Sequence, residues 1–537
     1  MGDPGYTAPP DAGSWEGTSV EFDVLIRNGD VIDGGRDARR ARADVGINGD
    51  RVAAVGDLSS SSGALEIDAT GKVVAPGFID VHIHSEIELL GGPHRYASLL
   101  QGVTTQLLTP DGFGWAPLTP EQSRELWEAT VAIYGPLEIE PNWPTPEAYL
   151  AIFEGNTPAN VMPQVPHTAV RFAAMGWEAR PATDDELETM RRLTRQWMEA
   201  GATCLCLGLD YQPSAFSDTR ELIELSKVAR EYNGIYTAHI RYNLIGLEPA
   251  WRETMEIGEQ ADIPVHISHE YVREVTAELL DEAAQRCDLT FESYMYPAGC
   301  THLLNMMPIP LQAGGPNGVR ARLQTEEGRE AISTAVARRL RSDFEKGSRA
   351  IFANTRSGRW IGQDMVSAAE DEGMSLEEFV LEVFDSEYPE GLMIYRRGDT
   401  PEQVDEMVRR TISHPAMMVA SDGIYYGPHA HPRGYGCFAR ALRKGVRELG
   451  AVTLEEAIWK MAGFPAERFR IPERGRLAEG YYADVVVFDP DTVADRATWD
   501  EPRLHPVGID RVLVNGQVVI ADGEPTGAIP GHVIRGR

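Results

Sequence analysis

Ile235-Tyr-Thr-Ala-His239-Ile240, a helical stretch from Pro249 to Glu259, and then Val265-His-Ile-Ser-His269 together decide the fold. Both apolar runs are of strand length, and an amphipathic helix separates them. Working outward, the same unit recurs on either side. Upstream, the capping box Thr183-x-x-Glu186 opens a helix that buries Leu187, Met190, Leu193 and Trp197 on one face. The strand Cys204-Leu-Cys-Leu-Gly-Leu209 follows, then a helix begun by Asp218 with Glu221 three residues on, ending near Gly234. Downstream come a helix from Thr276 to Cys287 and the strand Leu289-Thr-Phe-Glu-Ser-Tyr294. Successive strand–helix units predict a parallel sheet. At least eight candidate strands between Ala75 and Phe469 favour an α/β fold closed into a (β/α)8 TIM-type barrel. A doubly wound sheet is the alternative, but no Gly-x-Gly-x-x-Gly follows a first strand.

The two ends of the chain have another texture. Residues 20 to 76 read as short strands, among them Val24-Leu-Ile-Arg, Val31-Ile-Asp, Asp44-Val-Gly-Ile and Val52-Ala-Ala-Val. Asn28-Gly29 and Asn48-Gly49 between them are hairpin signals. Ala483-Asp-Val-Val-Val-Phe488, Val512-Leu-Val-Asn515-Gly516 and Val518-Val-Ile520 repeat the pattern, so both ends are expected to build one β unit. The expected division is a flexible tail at 1–20, a composite β domain from 21–76 and 471–537, and a barrel over 77–470.

Fifty basic residues against 82 acidic ones give a formal charge of −32, which repels nucleic-acid phosphates and anionic lipid. A small molecule is the expected partner, with neither nucleic acid nor membrane; a homo-oligomer is left open. Five cysteines without framework spacing suit a reducing compartment. Met1 to Thr18 holds no apolar run that would make a leader or anchor, so the cytoplasm is the expected location. Only Lys72, Lys227, Lys346, Lys444 and Lys460 are lysines; the other basic residues are arginines.

Val81-His82-Ile83-His84 carries the most chemistry. Positions two apart at a strand end share a face, so both imidazoles converge where a barrel keeps its active side. Converging imidazoles suit zinc. Alone, the motif is equally a polar loop. His239 and His269 also end predicted barrel strands, and four histidines at three strand ends, of 13 in the chain, point to a metal site. Asp422, after the strand Met417-Met-Val-Ala-Ser421, reads either as an Asp-Gly turn or as a carboxylate that moves the proton of a metal-activated hydroxide. Asp111, in Pro110-Asp-Gly112, is turn chemistry first.

Longer segments resemble the N-acyl-D-amino-acid deacylase (D-aminoacylase) family of the amidohydrolase superfamily. They are Ala75-Pro-Gly-Phe-Ile-Asp-Val-His-Ile-His84, Gln101-Gly-Val-Thr-Thr105, Gly208-Leu-Asp-Tyr-Gln-Pro213, Asp218-Thr-Arg-Glu-Leu-Ile223 and Gly234-Ile-Tyr-Thr-Ala-His-Ile-Arg241. Val265-His-Ile-Ser-His269, Ser421-Asp-Gly423, His431-Pro-Arg433, Tyr435-Gly436, Gly475-Arg-Leu-Ala-Glu-Gly480 and Ala483-Asp484 continue it in order. The resemblance implies a barrel with a composite β-sandwich. It implies zinc on His239, His269 and a bridging residue, and a second, weaker metal position at His82, His84 and Asp422. Asp422 would be the general base and acid. Arg433 falls where the family holds the substrate carboxylate, and Tyr294 where a tyrosine supports it. Typical members bridge with cysteine, but the aligned residue here is Asp111, which makes manganese more competitive with zinc. One ion or two are both open. No lysine sits on a metal-bearing strand end, so no lysine carbamate can form.

On the substrate side, Glu270-Tyr271 stands where acid-specific relatives carry a lysine, which disfavours an acidic substrate side chain; Tyr242-Asn243 replaces an acidic pair, and Cys300 replaces a serine. The stretch Pro308 to Pro316 reads as a Pro/Gly loop or a lid. The expected activity is hydrolysis of a linear amide, an N-acyl-D-amino acid or similar carboxylate-bearing compound. The alternatives are another amide (cyclic, N-formyl or N-carbamoyl) and a non-catalytic scaffold.

Overall fold

The strand–helix units close into a barrel in the computed structural model, which is described for residues 21 to 536. The expected tail, 1–20, lies outside the described residues. Among these residues the barrel strands are β1 (Phe78–Asp80), β2 (Val103–Leu107), β3 (Asn160–Met162, resumed at Val165–Pro166) and β4 (Cys204–Gly208). They continue as β5 (Ile235–His239), β6 (Val265–Ile267), β7 (Leu289–Ser293) and β8 (Met417–Val419). Neighbours pair in parallel from β1 round to β8. Gly423–Ile424 then runs parallel to Ile83–His84 and closes the ring. Asp80 stitches the seam: its Oδ1 accepts from the Ser421 amide at 3.0 Å and the His82 amide at 3.3 Å. Burial pushes that carboxyl up to about 7. Helices outside and side chains inside cover both faces of the strands, which is why β4 and β8 read as unbroken apolar runs.

Asp184–Glu199 forms the helix capped by Thr183 and Glu186, and Leu187, Met190, Leu193 and Trp197 are buried as expected. The strands from both chain ends join one nine-stranded sheet, in which Val485–Phe488 lies beside Val73–Pro76. Val24, Ile26, Val45, Val485 and Leu513 fill its core. Together these elements make a TIM barrel with a β-sandwich of terminal strands. Asn48-Gly49 and Asn515-Gly516 sit at hairpin turns, joining Asn48 to Arg51 and Val514 to Gln517. Asn28-Gly29 does not turn the chain. The strand Glu21–Val31 runs through it with a register shift, Asn28 at φ 59°, so the pair makes a bulge. The reason is local: the Asn28 amide is taken by Asp44 Oδ1 at 2.8 Å, and Gly29 presses on Val74, where a Cβ would lie 2.4 Å from a methyl. The last residues return to the barrel, the Ile534 amide donating to the Val161 carbonyl at 2.7 Å.

Between β7 and β8 the chain leaves the barrel to build a smaller antiparallel sheet from Ala298–His302, Arg349–Asn354 and Leu392–Arg396. Helices with Ile332, Val336, Phe379 and Val383 give it a core of its own. Pro308–Pro316 is not a plain loop. It contains the short helix Ile309–Gln312 and enters the helix Gly315–Leu323, with proline in the first helical turn each time, where a missing N–H costs nothing.

Helices His167–Met175 and Thr219–Glu231 are locked by a buried cluster. His167 Nδ1 lies 2.8 Å from Ser214 Oγ, its Nε2 lies 2.9 Å from Glu221 Oε1, and Arg171 holds the other Glu221 oxygen. The order of contacts is that of a hydrolytic triad, but Ser214 and His167 are both 0% exposed, so no substrate reaches them. Burial opposes the Glu221 charge, yet His167 and Arg171 hold its carboxyl below the usual range. Glu221→Gln strands a buried guanidinium and is expected to cost about 3–5 kcal/mol in urea unfolding. A loss within experimental error would show that the cluster is not a fastening.

Candidate metal centre

Local backbone geometry gathers the polar side chains at the carboxyl ends of the strands. His82 and His84 follow β1, His239 ends β5, and His269 follows β6. Asp111 arrives on a tight turn after β2, at φ 55°, next to Gly112 at φ 67°. That turn lies directly on β4: a Cβ on Gly112 would sit 2.4 Å from the Cys206 carbonyl oxygen, and one on Gly208 equally close to that of Asp111. Glycine at both places lets Asp111 lean over the barrel mouth. His269 at φ 44° and Asp422 at φ 48° share the left-handed conformation. Such residues concentrate where the surroundings over-determine a functional geometry.

Two groups of ligand atoms result, one of His82, His84 and Asp111 and one of Asp111, His239 and His269, each within 4.8 Å. Asp111 belongs to both. Its Oδ1 is 3.5 Å from His82 Nε2 and 3.9 Å from both His239 Nδ1 and His269 Nε2, while Oδ2 is 3.8 Å from His84 Nε2. Asp422 Oδ1 lies 3.7 Å from His82 Nε2, 3.4 Å from His84 Nε2 and 2.8 Å from Arg433 Nη2.

Outer partners aim the rings. His82 Nδ1 meets Glu292 Oε1 at 2.9 Å, His84 Nδ1 meets the Tyr134 hydroxyl at 2.9 Å, and His239 Nε2 meets Asp210 Oδ2 at 3.1 Å. Each contact occupies the far nitrogen and leaves the near one facing the centre, the arrangement that orients metal-binding histidines. Asn243 Nδ2 fixes Asp210 at 2.8 Å, and His266 holds the other Glu292 oxygen. Glu292, Asp210 and Tyr134 escaped the sequence reasoning. Glu292 shares its strand, Leu289-Thr-Phe-Glu-Ser293, with two other polar residues, so nothing local marked it.

The residues fit a divalent cation. His82 Nε2 and Asp111 Oδ1 are buried with no hydrogen-bond partner, two ligand atoms that face the centre unsatisfied, while His239 Nδ1 and His269 Nε2 share a hydrogen bond at 2.8 Å. Burial disfavours charge on His82, yet Asp111, Asp422 and Glu292 push it up to about 10. The carboxylates thus draw positive charge to the spot. Burial and the neighbouring His239 push His269 down to about 4, which keeps its lone pair free.

Arg433 starts the helix Arg433–Arg440, 0% exposed, its amide held by His431 Nδ1 at 3.1 Å and its guanidinium 4.4 Å above the Tyr294 ring. Arg433, Tyr294, Asp422, Asp111, His239 and His269 all line one cavity of about 310 Å³. A larger groove of about 910 Å³, beside Lys72, His94 and Arg503, contains none of them. His429, the other His-x-His member, stays outside both ligand groups.

The chain matches the amidohydrolase family over residues 65–305 and 380–520, leaving out most of the helical insertion. It is 34% identical to a D-aminoacylase of Alcaligenes xylosoxydans xylosoxydans, over 96% of this chain and 98% of that one. A D-aminoacylase structure described for its binuclear metal center superposes with a TM-score of 0.79, at 32% identity over 96% of this chain and all (100%) of the other. An N-acyl-D-glutamate deacylase from Bordetella bronchiseptica, complexed with zinc and a phosphonate inhibitor, gives 0.81 at the same identity and coverage. With this site on this barrel, the chain belongs to the D-aminoacylase family of amidohydrolases and is a hydrolase of carbon–nitrogen bonds in linear amides.

Proposed function

We propose that this protein hydrolyses the amide of an N-acyl-D-amino acid or a similar N-acyl compound bearing a carboxylate. The observation that carries the reading is Arg433, which lines the same cavity as Asp111, His239 and His269 and lies 2.8 Å from Asp422. A guanidinium there can grip a carboxylate bidentately beside the reacting amide. The relatives named above act, by their names, on this substrate class.

His82, His84 and Asp111 would hold one divalent ion and Asp111, His239 and His269 another, with zinc expected and manganese competitive through the oxygen bridge. When bound, such an ion lowers the pKa of water and polarises a carbonyl. Burial opposes ionisation of Asp422, but Arg433 and His82 outweigh it and hold the carboxyl well below the usual range. That keeps Asp422 ionised, and its Oδ1, 3.4 Å from His84 Nε2 and 3.7 Å from His82 Nε2, lies beside the ligand groups, where it would take the proton of the attacking water and pass it to the leaving nitrogen. Arg433 orients the amino-acid half, and the Tyr294 ring keeps the guanidinium in its plane. Free thiols at all five cysteines support a cytoplasmic location.

A panel of N-acetyl amino acids of both hands tests the reading; absence of turnover for every D-isomer would sink it. Arg433→Met is expected to lower kcat/KM for carboxylate-bearing substrates by about 100-fold, the loss of a charge-assisted bidentate contact.

A further inference from the structure

The groove of about 910 Å³ runs between the segment Pro93 to Leu100, which leads into β2, and the terminal segments around Leu504 to Asp510 and Asp522 to Pro525. Ligand sites have volumes of this order. His94, Arg496, Arg503 and His505 line it, and the two imidazoles both pack on Tyr435, with ring centres 5.6 and 6.0 Å away. Among the described residues, no acid lies within ion-pair distance of these four, and neither imidazole makes a side-chain hydrogen bond. Arg503 donates to the carbonyls of Tyr425, at 3.3 Å, and Gly427, which fixes its guanidinium without neutralising it. Its Nε and the hydroxyl of Tyr96, on the same groove, are buried with no hydrogen-bond partner among the described residues.

Most acids of the groove are already engaged. Asp510 holds Lys72 at 2.8 Å, Asp522 holds Arg511 at 2.7 Å, and Asp489 accepts the amides of Asp491 and Thr492 at 2.8 and 3.2 Å. That leaves Glu524, whose charge acts on His505. Glu88, which feels Arg503, does not line the groove, and its Oε2 accepts the His94 amide at 2.9 Å. The crowding of positive groups registers at His94, which burial, Arg503 and His505 together push down to about 4. An anion seated among them would oppose the last two causes. Leu100, Leu504, Val507 and Ile509 supply apolar lining in the same groove. On a chain of net charge −32 such a basic spot runs against the overall field and locally concentrates anions.

We infer that this groove binds a small organic anion, a carboxylate with an apolar body, at a site separate from the metal-bearing cavity. The inference does not depend on the function proposed above. Isothermal titration of the metal-loaded protein with octanoate, acetate and inorganic phosphate tests it, in the wild type, in Arg496→Gln/His505→Gln and in Arg433→Met. Octanoate can also reach Arg433 in the other cavity, so the wild type should show two binding events. The double variant should weaken one of them by at least about tenfold through lost charge-assisted contacts, and Arg433→Met should weaken the other. Arg496 and His505 are both exposed, so the double variant should fold, and a thermal melt checks that. At the groove octanoate should bind at least about tenfold more tightly than acetate, since each buried methylene contributes about a factor of four. A single binding event in the wild type overturns the inference without any variant. Binding that survives the double substitution and vanishes in Arg433→Met overturns it too, as does phosphate or acetate binding in the groove as tightly as octanoate. A dimer that the double variant dissociates would give the groove to a second copy of the chain and also overturn it.

Discussion

Asp422→Asn is expected to cut kcat by at least about 10³-fold while the protein stays folded and keeps its metal. The substitution preserves shape, and the amide oxygen can still accept from Arg433, which sits 2.8 Å from Asp422 Oδ1. It removes the ability to take a proton from water and return it to nitrogen. The two histidine–Asp111 groups do not include Asp422, so metal content should change little. Measuring kcat beside elemental analysis separates two roles. Lost activity with retained metal identifies a proton carrier, whereas joint loss makes Asp422 chiefly a ligand. Full activity would move the base to another residue.

Asp111→Ala is expected to weaken metal binding by more than about 100-fold, since it takes a ligand from both groups at once. Two further substitutions guard against a trivial explanation. Asp111 sits at φ 55°, where alanine is strained, but asparagine tolerates that conformation and carries no charge. Asp111→Asn should therefore lose metal without losing the turn, and Asp111→Cys should keep metal through a thiolate. Elemental analysis of the three variants decides the matter. Undiminished metal in Asp111→Ala would reduce the segment to the turn that Pro110-Asp-Gly112 suggests.

The barrel was legible because its signal is periodic: apolar runs and one-sided helices alternate, and Thr183 with Glu186 marks a helix start by chemistry that depends on nothing distant. His82, His84, His239 and His269 were legible because a histidine after an apolar strand has few structural reasons to be there. Asp111 and Asp422 were ambiguous, since Asp-Gly serves turns as readily as sites, and only the likeness to a family separated the two uses. Glu292 and Asp210 were missed because their importance lies in the ring each one faces across the barrel, which local sequence does not encode. Asn28-Gly29 misled for the opposite reason. Its turn chemistry is real, but a bulge consumes it as well as a hairpin does. The insertion between β7 and β8 was obscured by prolines that start helices rather than end them.

The pairing of Val73–Pro76 with Val485–Phe488, together with the Asp80 seam, has a consequence for biosynthesis. On the ribosome, the first barrel strand must wait for partners translated more than 300 residues later, and meanwhile its edge is exposed. Such distant pairing makes for slow folding and a long window for aggregation. Recombinant yield should therefore depend on temperature and chaperone supply more than on the stability of the finished molecule.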